Sequence, residues 1–127
     1  MCDVLVPVSI GELIDKITIL QLKKSKISNE DQLANINREL EALQQVKNDL
    51  NLQGVEDMQQ DLASINNCLW DTEDSIRVCE SQKDFGPRFI SLARSVYKLN
   101  DKRSRVKKDI NITFNSSMVE EKSYEDF

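Results

Sequence analysis

Asp84-Phe85-Gly86-Pro87 interrupts one long helical pattern and starts another. Gly86 punctuates the turn. Pro87 suits the first position of a helix, where its missing N–H costs nothing. Downstream, Phe89, Leu92, Ala93, Val96, Tyr97, Leu99, Val106 and Ile110 recur at helical spacing, and the pattern fades around 111–115. Upstream, from about Val55 to Lys83, the apolar stripe is Val55, Met58, Leu62, Ile65, Leu69, Thr72, Ile76 and Cys79. So short a bend makes the two helices antiparallel neighbours, with facing residue numbers summing to about 170.

Charge is segregated across the bend. Glu56, Asp57, Asp61, Asp71, Glu73, Asp74, Glu80 and Asp84 precede it, against Arg77 and Lys83. Arg88, Arg94, Lys98, Lys102, Arg103, Arg105, Lys107 and Lys108 follow it, against Asp101. The register sets Asp74 opposite the Arg94–Lys98 turn, and Asp71 opposite Lys98 and Lys102. Trp70 falls near Asn100 and Arg103, within reach of a cation–π contact. Ion pairs that fix the hairpin register are one account, each contributing about 0–1 kcal/mol where exposed. The other is a polar site formed by Trp70, Asp71, Asp74, Arg94, Tyr97, Lys98 and Asp101. It would hold an anionic small molecule, with Mg²⁺ admissible through Asp71 and Asp74, three residues apart on one helix face. All-helical nucleotide pyrophosphohydrolases use paired helical acidic motifs for Mg²⁺, but that spacing is absent.

Nearer the N-terminus, residues 3–8 read as an extended lead-in. Ser9-Ile10-Gly11-Glu12 is a capping box, in which the Ser9 hydroxyl accepts from the Glu12 amide while the Glu12 carboxylate reaches back. The helix that follows carries Ile10, Leu13, Ile14, Ile17 and Leu20, with Ile19 and Leu22 off that stripe. So wide an apolar arc implies several neighbours. It ends near Ile27, after Lys23-Lys24-Ser25-Lys26, whose charge suits the helix dipole. Ser28 or Asn29 caps a second helix whose stripe is Leu33, Ile36, Leu40, Leu43, Val46 and Leu50, close to a coiled-coil seam. That seam serves either the core or a dimer surface. Asn51-Leu52-Gln53-Gly54 ends it.

Composition excludes much. Only three Gly and two Pro occur in 127 residues, too few for a turn-rich β fold. With no histidine, Ser-His-Asp and Cys-His catalysis and His zinc sites are impossible. The net charge of −5 argues against coating nucleic acid or anionic membrane. Isolated Gly11, Gly54 and Gly86 exclude a Gly-rich phosphate loop. Cys2, Cys68 and Cys79 are odd in number and lack CxxC spacing, as expected in a reducing compartment. Cys68 and Cys79 read as buried, inert thiols. No apolar run spans a membrane, and no secretory signal is visible. A cytoplasmic location is expected, and the acceptor-like Asn111 and Asn115 triplets are then chance matches.

Several segments together resemble one family of small uncharacterised proteins of bacteria and marine cyanophages. They are Pro7-Val8-Ser9-Ile10-Gly11-Glu12-Leu13-Ile14-Asp15-Lys16-Ile17-Thr18-Ile19-Leu20, Leu69-Trp70-Asp71-Thr72-Glu73-Asp74-Ser75-Ile76-Arg77, Asp84-Phe85-Gly86, Tyr97-Lys98-Leu99-Asn100-Asp101-Lys102-Arg103 and Glu120-Glu121-Lys122-Ser123-Tyr124. The resemblance covers nearly the whole chain and implies no established activity or catalytic residues. Its bacterial members tend to lie near surface-polysaccharide genes, a link to sugar-nucleotide or glycan metabolism. Leu13-Ile14-Asp15-Lys16-Ile17 is loosely similar to the first helix of helical chorismate mutases. Those enzymes clamp substrate with an Arg there, and this chain has none before Arg38.

The expectation is an all-α protein: antiparallel helical hairpins in a small four-helix, coiled-coil-like bundle. Residues 1–116 form one domain and 117–127 an acidic tail. The expected role is a non-catalytic binding or assembly module, homodimeric and without cofactor. The alternative is an enzyme or sensor that binds a phosphorylated or sugar-nucleotide ligand at the polar face above.

Overall fold

A computed structural model describes residues 2–127. Four helices make up the fold: α1 (Ile10–Lys26), α2 (Glu30–Leu50), α3 (Glu56–Ser81) and α4 (Pro87–Thr113). The local chemistry sets their ends. Ser9 caps α1, its Oγ accepting from the Glu12 amide at 3.0 Å. Asn29 caps α2 through the Gln32 amide, and Asn51 closes it in a left-handed conformation. At the α3–α4 bend, the Gly86 amide donates to the Asp84 carboxylate at 3.2 Å, and Pro87 opens α4. The four-helix, all-α expectation holds.

The core has two parts, and α1 belongs to both. Leu13, Ile17 and Leu20 pack on Ile36 and Leu40 of α2, with Ile27 and Leu43 at the margin. On its other side, Ile14 packs among Val55, Leu62 and Ile110, flanked by Ile10, Leu52, Met58, Val106 and Phe114. This is why α1 is apolar over so wide an arc. It touches α2, α3 and α4, whereas the backbone of α2 packs on α1 and reaches α3 through Lys47, whose Nζ donates to Gln59 Oε1 at 2.7 Å. The α2 seam is thus partly spent within the chain, while Val46 and Leu50 at its far end stay half exposed. At about 1.5 Å per residue, α1 is shorter than the α3–α4 hairpin by roughly 15 Å, so it cannot cover the whole of it.

Gly11 sets how closely α1 approaches α4. A Cβ there would stand 2.5 Å from the Lys107 carbonyl oxygen and 3.0 Å from Asn111 Oδ1. Only glycine permits this approach, and the Gly11 amide uses it to donate to Asn111 Oδ1 at 2.6 Å.

Three sequence expectations are corrected. The Glu12 carboxylate does not reach back to its cap. It accepts from Lys107 instead, because an enclosed ammonium is a stronger partner than a backbone amide. Cys79 is fully buried, but Cys68 is exposed; it lies near the α3 stripe without lying on it. The expected ion pairs between Asp71 or Asp74 and the cations of α4 do not form. Among the described residues no ion pair joins α3 to α4, and Asp71 lies 3.9 Å from Lys26 of α1. Register along a hairpin fixes height, not the direction in which a side chain points. Exposed pairs contribute too little to turn side chains towards each other.

Candidate functional site

The most polar part of the interior lies where α1 crosses α3 and α4. Asp15 is completely buried in the most apolar helix of the chain. Arg103 grips it from α4: Nε donates to Oδ1 at 3.1 Å and Oδ2 at 3.0 Å, and the Nη2 group also donates to Oδ2. Asn66 of α3 donates from Nδ2 to Asp15 Oδ1 and to Thr18 Oγ1, both at 2.9 Å. The Thr18 hydroxyl in turn donates to the Asp15 carbonyl at 2.7 Å. One helical turn away, Lys107 donates to Glu12 Oε2 at 2.6 Å and lies 3.8 Å from Asp15. No buried side-chain nitrogen or oxygen among the described residues lacks a partner. That satisfaction lets so many polar groups occupy a small core.

Electrostatics hold both cations in their charged forms. The hydrogen bond to Asp15 is the largest influence on Arg103 and, with the nearby carboxylates, outweighs burial, so its pKa is raised. For Lys107 burial is the largest single influence and opposes charge. The hydrogen bonds and charges of Glu12 and Glu120, together with Asp15, still carry its pKa upward.

The cluster continues outward to the C-terminal tail. After Thr113 the chain leaves the helix, and Ser116 Oγ accepts from the Ile10 amide at 3.1 Å. The tail then lies back along α4. Glu120 accepts from Ser9 Oγ at 3.3 Å, and its other contact is Lys107 Nζ, 3.1 Å from Oε1. Glu121 accepts from Lys108 at 3.3 Å, and Lys122 donates to Asp101 at 3.2 Å while lying 5.2 Å from the centre of the Tyr124 ring. Between tail and α4 runs a cleft of about 810 Å³. Arg103, Lys107 and Lys108 line one part of it; Val96, Tyr97, Tyr124 and Phe127 supply its apolar wall.

Of the residues singled out from sequence, Tyr97 and Asp101 line this cleft. Arg94 and Lys98 line a smaller depression of about 420 Å³ with Pro87, Ile90 and Ser91. Asp74 is exposed and without an ion pair among the described residues, and Trp70 is half buried. No cation among them sits over the Trp70 ring; the cation–π contact is that of Lys122 with Tyr124. Asp71 and Asp74 belong to no group of three or more possible metal ligands among the described residues.

Sequence reasoning named none of Asp15, Asn66, Lys107 and Glu120 as a site residue, although it counted Lys107 among the cations of α4 and Glu120-Glu121 as an acidic group. A signal existed for the first: Asp15 and Thr18 interrupt an otherwise aliphatic face between Ile14 and Ile17, and a carboxylate there demands a partner.

A family model described as "Family of unknown function (DUF6165)" matches residues 4–126. The chain belongs to that family. No curated protein and no solved structure matches it significantly. The match takes in the apolar lead-in, all four helices and nearly all of the tail, so the α4–tail cleft belongs to the DUF6165 unit. No helix among the described residues is long and apolar enough to cross a membrane.

Proposed function

We propose that this DUF6165 chain is a non-catalytic binding module, and that its ligand is an anionic small molecule held in the cleft between α4 and the C-terminal tail. One observation carries the reading: a cleft with aromatic walls is lined by Arg103, Lys107, Lys108 and Lys122 together with Asp101, Glu120, Glu121 and Glu125, and among the described residues the tail meets Lys107 Nζ and Lys108 Nζ only through the flexible side chains of Glu120 and Glu121. The cleft has the size of ordinary small-molecule sites. Lys107 and Lys108 suit phosphate or carboxylate, with Arg103 beside them held on Asp15, and Tyr97 and Tyr124 suit a flat or sugar-like group. A phosphorylated or sugar-nucleotide ligand meets both needs. The proposed site shares Tyr97 and Asp101 with the polar face expected from sequence and does not include Trp70, Asp71, Asp74, Arg94 or Lys98.

The same reading has the protein act as a homodimer in the cytoplasm of a bacterial or phage-infected cell. Val46 and Leu50 on α2, and Val78, Phe85 and Ile90 near the hairpin tip, are exposed apolar side chains available to a second copy.

Thermal shift against nucleotides, sugar phosphates and sugar nucleotides, with and without Mg²⁺, tests the ligand reading. A ligand at about 100 times its Kd stabilises the fold by about 2.7 kcal/mol. The shift should shrink in Lys108→Ala, whose side chain is half exposed and outside the core. No shift with any member of the panel refutes the reading, and turnover of a bound ligand would replace a binding module with an enzyme. A sedimentation mass that stays monomeric at all concentrations refutes the dimer.

A further inference from the structure

We infer that Glu120 and Glu121 are internal stand-ins for the ligand's charged groups, so that the cleft takes a ligand with two linked anionic groups, of the diphosphate class, which binds by displacing these two carboxylates from Lys107 and Lys108 while the rest of the tail keeps its place as the cleft wall. The inference rests on the binding reading above and adds the ligand's charge arrangement and its control.

The two carboxylates come from consecutive residues and face consecutive lysines. Glu120 meets Lys107 and the Ser9 hydroxyl; Glu121 meets Lys108. The first subsite is the stronger one. Lys107 is largely enclosed, with a side chain 13% exposed, and Ser9 is the N-cap of α1, so the helix dipole adds positive potential there. The second is open: the Lys108 and Glu121 side chains are 49% and 75% exposed. A single anion replaces one tail contact. Two anionic groups joined by a short bridge replace both, and the second is bound at high effective concentration.

The two carboxylates are held so that they can let go. Residues 117–127 form no helix or strand and are exposed throughout, and the charged links between the tail and α4 are ion pairs at Glu120, Glu121 and Lys122. Each such exposed contact is weak and is screened by salt. Glu12 and Asp15 already neutralise much of Lys107 and Arg103 within the core. A ligand therefore competes with the tail for what positive potential remains, and removing the tail's charge should free that potential for the ligand.

Isothermal titration of the full chain with inorganic pyrophosphate and with inorganic phosphate provides the test. The wild-type chain should bind pyrophosphate at least tenfold more tightly than phosphate. Glu120→Gln/Glu121→Gln should bind pyrophosphate at least threefold more tightly than wild type. Glu73→Gln/Glu80→Gln makes the same change in net charge on the exposed face of α3, outside the cleft and without touching an ion pair among the described residues; its affinity should change by less than half of that factor. Wild type that binds pyrophosphate, with no gain in the Glu120/Glu121 variant or an equal gain in the Glu73/Glu80 variant, overturns the stand-in role and leaves the binding reading intact. Phosphate bound as tightly as pyrophosphate overturns the two-group ligand. Wild type and variants that all fail to bind either anion overturn the inference, and the reading it rests on falls with it only if the nucleotide and sugar-phosphate panel also gives no thermal shift.

Discussion

Replacing Asp15 by asparagine should cost about 3 kcal/mol of folding stability, at the lower end of the range for breaking a buried ion pair. Asp15 is fully enclosed, and its two oxygens accept the hydrogen bonds that Arg103 Nε and Asn66 Nδ2 direct at it. The amide introduced by Asp15→Asn removes the negative charge and puts an NH₂ donor where one of the two acceptors stood, leaving the guanidinium without its anion. Arg103 remains 28% exposed, so water can partly solvate the orphaned charge, which places the loss near the bottom of the range. In a domain of this size the melting temperature should fall by roughly 10 °C. Urea and thermal denaturation followed by circular dichroism measure the two quantities. Adding Arg103→Met to Asp15→Asn should recover part of the loss, because the second change removes the stranded charge. A loss below about 1 kcal/mol, or a double variant whose loss equals the sum of the single losses, would refute the view that this pair organises the α1–α4 contact.

Three further outcomes follow from the same contacts. Gly11→Ala should destabilise by about 1–3 kcal/mol despite alanine's better helix propensity, because the new methyl meets the Lys107 backbone, which cannot yield without moving α4; thermal denaturation reads this directly. Lys107 has a folded pKa above its usual 10.5, so its contribution is complete below that pH and is lost as pH rises through the folded value. The urea midpoint should therefore fall more steeply above about pH 10.5 in wild type than in Lys107→Met. Under native conditions Cys68 should react with a thiol reagent in minutes while Cys79 stays protected until the fold opens, as mass spectrometry of the labelled peptides would show.

The helices themselves were legible because their signals are local. Ser9, Asn29, Asn51 and the Asp84–Pro87 bend specify ends through backbone groups a few residues away, and the apolar stripes specify faces by periodicity alone. The breadth of the α1 arc even announced that this helix would have several neighbours. Composition likewise settled what chemistry is impossible, since a chain without histidine cannot use it.

Which charges meet was decided only by tertiary structure. Segregated acids and bases on α3 and α4 suggested partners, yet Asp74, Arg94 and Lys98 are exposed, where ion pairing offers little. The partners that matter are 88 residues apart in the case of Asp15 and Arg103, and 111 apart for Ser9 and Glu120. No helical period relates such positions. They meet because Gly11 lets α1 approach α4 and because the chain folds back after Thr113, and burial then makes their charges too costly to leave unpaired.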